Sequence, residues 1–112
     1  MTGQELYAER DEIKKSLNHS MEKMYTNGVN WGEKTKEYRK ILAETILLLK
    51  SEGMQISILD KVAKGRDAVA QAEFEMITAE VLYRASQENI MIQKKLLDSI
   101  EDEIKREWGK ST

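Results

Sequence analysis

Apolar residues recur at a strict interval of seven over the second half of the chain, and this repeat constrains the fold more than any other feature. The positions are Val69, Met76, Tyr83, Ile90, Leu97 and Ile104. An interval of seven places all of them on one side of an α-helix, together with the residues three positions later. Those companions are small at Ala72 and Ala79, which lets a neighbouring helix approach closely. The repeat predicts one long helix over about residues 67–108.

The chain has no proline, so glycine is the main signal for where helices stop. Thr2, with Glu5 three residues later, is a capping-box signature that predicts a first helix over about residues 3–27. The pair Asn27-Gly28 is typical of a left-handed residue that ends a helix.

A second capping-box signature, Asn30 with Glu33, predicts another helix over about residues 31–52. Gly53 closes it. Because only two residues lie between Asn27 and Asn30, the first two helices are expected to form an antiparallel hairpin.

A short apolar segment separates this hairpin from the long helix. Ser57 with Asp60 predicts a short helix over about residues 57–64. Gly65 inside a helix would cost about 1 kcal/mol relative to alanine, which favours a corner there over a continuous helix. The sequence leaves open whether Gly65 breaks the last helix or only bends it.

These segments predict an all-α protein with a single domain over residues 1–112, made of an N-terminal hairpin, a short connecting helix and a long C-terminal helix. At 1.5 Å per residue the hairpin helices would be roughly 33–38 Å long and the last helix roughly 60 Å. The hairpin could not cover the end of the long helix. The apolar residues left there predict an interface with a second copy or another protein, and they are Ile90, Leu97, Ile100, Ile104 and Trp108.

Composition argues against an enzyme. The chain has no cysteine and one histidine, His19, so thiolate chemistry and zinc sites built on thiolates are excluded. The Glu-x-x-His pairs of di-metal helical bundles are also missing, because Ser16 stands three residues before His19. No phosphate-binding loop or nucleophile elbow occurs. We therefore expect no catalytic residue, no metal and no cofactor.

The sequence predicts neither a membrane span nor an export leader. No apolar stretch approaches the roughly 20 residues that a spanning helix needs, and the N-terminus lacks the pattern of a leader. A cytoplasmic location is expected.

Direct DNA binding is the alternative function. Four cations lie close to Trp31 and Tyr38, and a second basic group follows in the short helix, a combination that could stack bases and hold phosphates. The candidate contacts are Lys34, Lys36, Arg39, Lys40, Lys61, Lys64 and Arg66. Glu33 and Glu37 lie among the first four, and the formal net charge of the whole chain is −2. The sequence therefore favours protein binding over DNA binding.

Three phrases of the chain resemble a group of small helical proteins of unknown function encoded by bacteriophages and prophages of Gram-positive bacteria. The phrases are Gly-Gln-Glu-Leu-Tyr at 3–7, Ile-Ser-Ile-Leu-Asp-Lys-Val-Ala-Lys-Gly at 56–65, and Ile-Glu-Asp-Glu-Ile-Lys-Arg-Glu-Trp-Gly at 100–109. The genes of that group often lie near replication and recombination genes. The resemblance implies a non-enzymatic accessory protein that associates with itself and binds a phage or host protein in the cytoplasm of the bacterial host cell, and it assigns no functional residue.

Overall fold

The chain folds into three helices in a computed structural model that describes residues 3–111, with side chains described for residues 3–109. The helices are α1 (Gly3–Ser51), α2 (Ile56–Lys64) and α3 (Asp67–Ser111). No strand occurs within that range, so the predicted all-α class is confirmed. Thr2 lies outside the described residues, and the capping box that includes it stays a prediction.

The hairpin turn expected at residues 27–30 is wrong, because α1 runs through that segment as a single helix of 49 residues. Its half-buried side explains the continuity. Five half-buried residues follow one another at an interval of seven straight through the expected turn, and they are Leu17, Met24, Trp31, Tyr38 and Thr45. A turn at Asn27-Gly28 would interrupt this register, and the burial that the register gives outweighs the cost of about 1 kcal/mol for a glycine inside a helix.

Gly28 does not end the helix, and its lack of a side chain allows α3 to pack closely against it. A Cβ atom at this position would lie 3.2 Å from Cε2 of Tyr83, closer than such atoms normally approach. The absence of a side chain at Gly28 therefore gives the Tyr83 ring its place beside α1, where the ring also lies 5.4 Å from the indole of Trp31 between centroids.

Glycine substitutions test these assignments. Gly32 lies in the interior of α1 with open space around it, so Gly32→Ala should raise the free energy of unfolding by about 0.5–1 kcal/mol. Gly28→Ala should give a smaller gain or a loss, because the new Cβ meets Tyr83. Urea unfolding followed by circular dichroism measures both. Equal gains at the two positions would contradict the contact between Gly28 and Tyr83.

The turn after α1 is built on Gly53, which has a φ of 90°. The amide of Gly53 donates to the carbonyl of Lys50 at 3.1 Å, and the amide of Met54 donates to the carbonyl of Leu49 at 3.1 Å. This pair of bonds is the Schellman arrangement, in which a left-handed glycine closes the helix. Met54 also packs on the cluster that contains Leu49, the apolar contact that accompanies such an end.

The helix α2 is a separate element, which settles the role of Gly65. It ends at Lys64, and Gly65 follows with a φ of −82°. The carbonyl of Arg66 then accepts from the amide of Ala70 at 2.8 Å, so that α3 starts at Asp67. Gly65 therefore breaks the helical path between α2 and α3. The observed start of α2 is Ile56, one residue before the predicted one.

Contacts divide the chain into two compact units, and the single domain over residues 1–112 stays a prediction. We call Met1–Thr26 with Arg84–Thr112 the terminal unit, and Asn27–Tyr83 the central unit. Each unit combines a part of α1 with a part of α3, and the central unit also contains α2.

The central unit has its apolar core at the turn between α1 and α3. Leu49, Leu59 and Ala63 are buried there. On α3, the small residues Ala72 and Ala79 are buried, as their place in the repeat predicts. Tyr38 donates a hydrogen bond to Oε2 of Glu73 at 2.8 Å. Burial of the ring, followed by this hydrogen bond, raises the pKa of Tyr38.

Candidate functional site

The chain itself covers most of the interface predicted along α3. In the terminal unit Ile100 and Ile104 form a buried cluster with Leu6 of α1, and Leu97 packs on that cluster. Ile90 is also buried, at 7% exposure. The expected surplus of uncovered apolar surface rested on two short hairpin helices, whereas α1 is long enough to provide the cover. Ile90, Ile100 and Ile104 are therefore core residues, and Leu97 is half-buried beside them.

Trp108, the fifth predicted interface residue, is 62% exposed. Its indole Nε1 donates a hydrogen bond to the hydroxyl of Tyr7. The guanidinium carbon of Arg10 lies 4.9 Å from the centroid of the Tyr7 ring. The side chain of Trp108 thus stays at the surface, and it contacts the first turns of α1.

Polar pairs interrupt the apolar core of the terminal unit. Asn89 donates to the hydroxyl of Ser20 at 3.0 Å, and Gln93 donates to that of Ser16 at 3.1 Å. Ser20 is buried, with 6% exposure. Because a buried polar group costs free energy unless it is paired, the bond to Ser20 favours one alignment of the two helices over slipped alternatives, whereas the bond to Ser16 is exposed and adds little. Serine and asparagine do not stand out in an apolar repeat, so the sequence alone does not predict this pairing.

The side of α3 that faces away from its core is apolar in the central unit. Phe74 and Val81 each follow a buried alanine, Ala72 and Ala79, by two positions, which is roughly 200° around a helix and therefore the opposite side. Phe74 is 65% exposed and Val81 is 59% exposed. We call the exposed apolar residues on this side the α3 outer face, and they are Phe74, Ile77, Val81 and Leu82. A surface helix normally has one apolar side, so this second one calls for an explanation.

Acidic residues dominate the surroundings of the α3 outer face. From Asp67 to Tyr83, α3 carries four carboxylates and no Lys or Arg, and the carboxylates are Asp67, Glu73, Glu75 and Glu80. The groove beside the face is lined by Phe74, Thr78 and Leu82 together with Lys34 of α1. Lys34 lies 3.6 Å from Glu37 and 3.8 Å from Glu75, so its one positive charge is shared by two negative ones.

The predicted nucleic-acid contacts lie apart from one another in the central unit. Lys34 is engaged as described, and Lys64 pairs with Asp60 at 3.1 Å, a hydrogen bond that raises the pKa of the lysine. Lys40 and Lys61 are exposed, and Arg66 borders a groove next to Leu48 and Leu49. The seven cations therefore do not form one basic surface.

Two of those cations do come together with an aromatic residue. Lys36 and Arg39 line a groove on α1, and the other residues that line it are Gly28, Trp31, Gly32 and Thr35. We call this the Trp31 groove. Trp31 gives the groove an aromatic side chain, Lys36 and Arg39 give it two positive charges, and its two glycines have no side chains. No carboxylate is among its lining residues.

Neither a cluster for a metal nor a membrane span is found in the described part of the chain. No group of three or more His, Cys, Asp or Glu residues has a geometry that could hold a metal ion among those residues. Residues 3–111 also contain no helix that is long and apolar enough to cross a bilayer.

Comparison with known proteins gives no family for this chain. No protein-family model, no curated protein and no solved structure matches it.

Proposed function

We propose that this chain is a non-enzymatic binding module that holds a helix of another protein on the α3 outer face. The observation that carries the proposal is the second apolar side of α3 in the central unit, where Phe74, Ile77 and Val81 are spaced three and four residues apart. A helix lying in such a surface makes contacts at this spacing.

Charge selects the kind of partner. A second copy placed antiparallel on the same face would bring the acidic residues beside it, such as Glu75 and Glu80, against their own counterparts, and like charges destabilise an interface. A partner helix with an apolar stripe bordered by Lys and Arg would instead meet opposite charges. We therefore assign the face to a basic amphipathic helix of another protein and not to a second copy of this chain. The phage setting implied by the resemblance stays part of the proposal, with the partner a phage or host protein of DNA replication or recombination.

A pair of designed peptides tests this proposal. A labelled amphipathic helix of leucine and lysine should bind the full chain at least tenfold more tightly than a leucine and glutamate helix of the same pattern, as measured by fluorescence anisotropy. The double variant Phe74→Asp and Val81→Asp should weaken binding of the lysine peptide at least tenfold. Both residues are exposed, so the variant should keep its helical circular dichroism.

The matched control places the same charges on another exposed apolar site. Leu47 and Leu48 lie on α1 in the same unit and are 67% and 58% exposed. Leu47→Asp with Leu48→Asp should leave peptide binding within about twofold. Equal loss in both double variants would overturn the assignment to α3. Sedimentation of the wild-type chain adds a further check, because a dimer abolished only by the Phe74 and Val81 changes would mean that a second copy occupies the face.

A further inference from the structure

We infer that the Trp31 groove binds single-stranded nucleic acid, with a base against the indole of Trp31 and the neighbouring phosphates at Lys36 and Arg39. This function is separate from the binding of a helix on the α3 outer face. The inference rests on what the groove brings together: an aromatic ring, two cations and open backbone on one side of α1.

The indole is held in place before any ligand arrives. Trp31 is half-buried, and its ring lies 5.4 Å from that of Tyr83 with an interplanar angle of 33°. A ring fixed in this way loses little conformational entropy when a base stacks on it. Stacking on an aromatic side chain tolerates every base, because each base has a π-face.

Gly32 creates the space. A Cβ at Gly32 would meet nothing within 4 Å, whereas at Gly28, one turn earlier, the ring of Tyr83 already takes the place of a side chain. A larger residue at position 32 would fill the groove next to Trp31. From Trp31 to Arg39 the groove extends roughly 12 Å along the helix axis, which is room for a short stretch of one strand.

The charges in the groove favour an anion. Lys36 and Arg39 are both exposed and both line it. Glu33 and Glu37 do not line the groove, although Glu33 stands three positions before Lys36 and is its neighbour on the helix surface. Glu37 lies beside Lys34 at 3.6 Å. A phosphate at the groove thus meets two cations without an opposing carboxylate in the lining.

Tryptophan fluorescence gives a direct readout of the stacked base. In a Trp108→Phe background Trp31 is the single tryptophan of the chain. Titration with an oligothymidylate at low salt should quench its emission with a saturable curve, and the affinity should weaken as salt rises from about 50 to 200 mM. Binding without quenching, or no binding at low salt, would overturn the inference.

A charge-reversal pair separates the groove from general electrostatics. Lys36→Glu with Arg39→Glu should weaken binding at least tenfold and lower the slope against salt by about 1.4, the value for two contacts at 0.7 each on a single strand. Lys40→Glu with Lys61→Glu changes the net charge equally at exposed positions outside the groove, and should weaken binding less than threefold. An equal loss in both variants would overturn the assignment of the site.

Two further ligands test whether the groove binds single-stranded nucleic acid and not another class of ligand. Duplex DNA of the same length should bind at least tenfold more weakly than the single strand, because its bases are not available for stacking. Thymidine monophosphate should bind much more weakly than the oligonucleotide, since it presents one phosphate. If the mononucleotide matched the oligonucleotide, or the duplex matched the single strand, single-stranded nucleic acid would be the wrong class.

Discussion

Replacement of Ile90 by aspartate should lower the free energy of unfolding by about 3 kcal/mol or more. Ile90 is 7% exposed and lies on the buried side of α3 in the terminal unit, next to the bond between Asn89 and Ser20. A carboxylate at this position would be removed from water without a partner, which is among the most destabilising changes a core position can undergo. Urea unfolding followed by circular dichroism measures the loss.

A residue two positions along the same helix provides the control. Ile92 is 57% exposed, and Ile92→Asp should change stability by no more than about 0.5 kcal/mol. Both variants add one negative charge to α3 at nearly the same place in the sequence. The loss for Ile90→Asp should also be independent of protein concentration, because the chain itself covers Ile90. If the unfolding midpoint of the wild type rose with concentration and that of Ile90→Asp did not, a second subunit would be covering this residue.

Leu59→Ala should lower stability by about 2–5 kcal/mol, the range for deleting a buried leucine side chain. Leu59 is 5% exposed and shares a cluster with Leu49 and Ala63, which joins α2 to the end of α1. The cluster is small, so a cavity there removes much of what holds α2 in place. Hydrogen exchange should then show faster exchange in α2, in addition to the lower global stability.

The exposed Ile56 of the same helix serves for comparison. It is 80% exposed, and Ile56→Ala should alter stability by no more than about 0.5 kcal/mol. Similar losses at Leu59 and Ile56 would mean that the sides of α2 are assigned wrongly.

The last helix and the corner before it follow from local patterns. The sevenfold repeat identifies the buried side of α3 from Val69 to Ile104, because each member of that repeat is buried or half-buried. Gly53 ends α1 as expected, because only a left-handed residue completes the two closing bonds there. In both cases the signal lies within a few turns of the chain, although the contacts that bury the repeat come from α1.

The turn expected at Asn27-Gly28 is wrong because the Asn-Gly signal reflects only the local preference of the backbone. An Asn-Gly pair favours a turn by about 1 kcal/mol, but residues far away in the sequence reverse that preference through Trp31 and Tyr83. The sequence does contain a signal for a continuous helix, because residues at an interval of seven from Leu17 to Thr45 keep one register across Gly28. This repeat is hard to recognise because polar residues such as Ser20 stand at the companion positions three residues later.

The candidate surfaces depend even more on the arrangement in space. The repeat identified the buried side of α3. The apolar residues on the opposite side become a candidate binding surface only once the structure shows that α1 already covers the buried side. The basic residues likewise formed two groups in the sequence, and only Lys36 and Arg39 share a groove with Trp31. Partners of the other cations, such as Asp60 for Lys64, decide which charges remain for a ligand.

The continuity of α1 through residues 27–30 is the claim on which the rest depends, and NMR chemical shifts of the backbone test it most directly. We expect Asn27, Gly28, Val29 and Asn30 to have the Cα secondary shifts of a helix, equal in sign and similar in size to those of their neighbours on both sides. Random-coil shifts over these four residues, or shifts that indicate a positive φ at Gly28, would show that the chain turns there and would contradict the pairing of α1 with α3 within each unit.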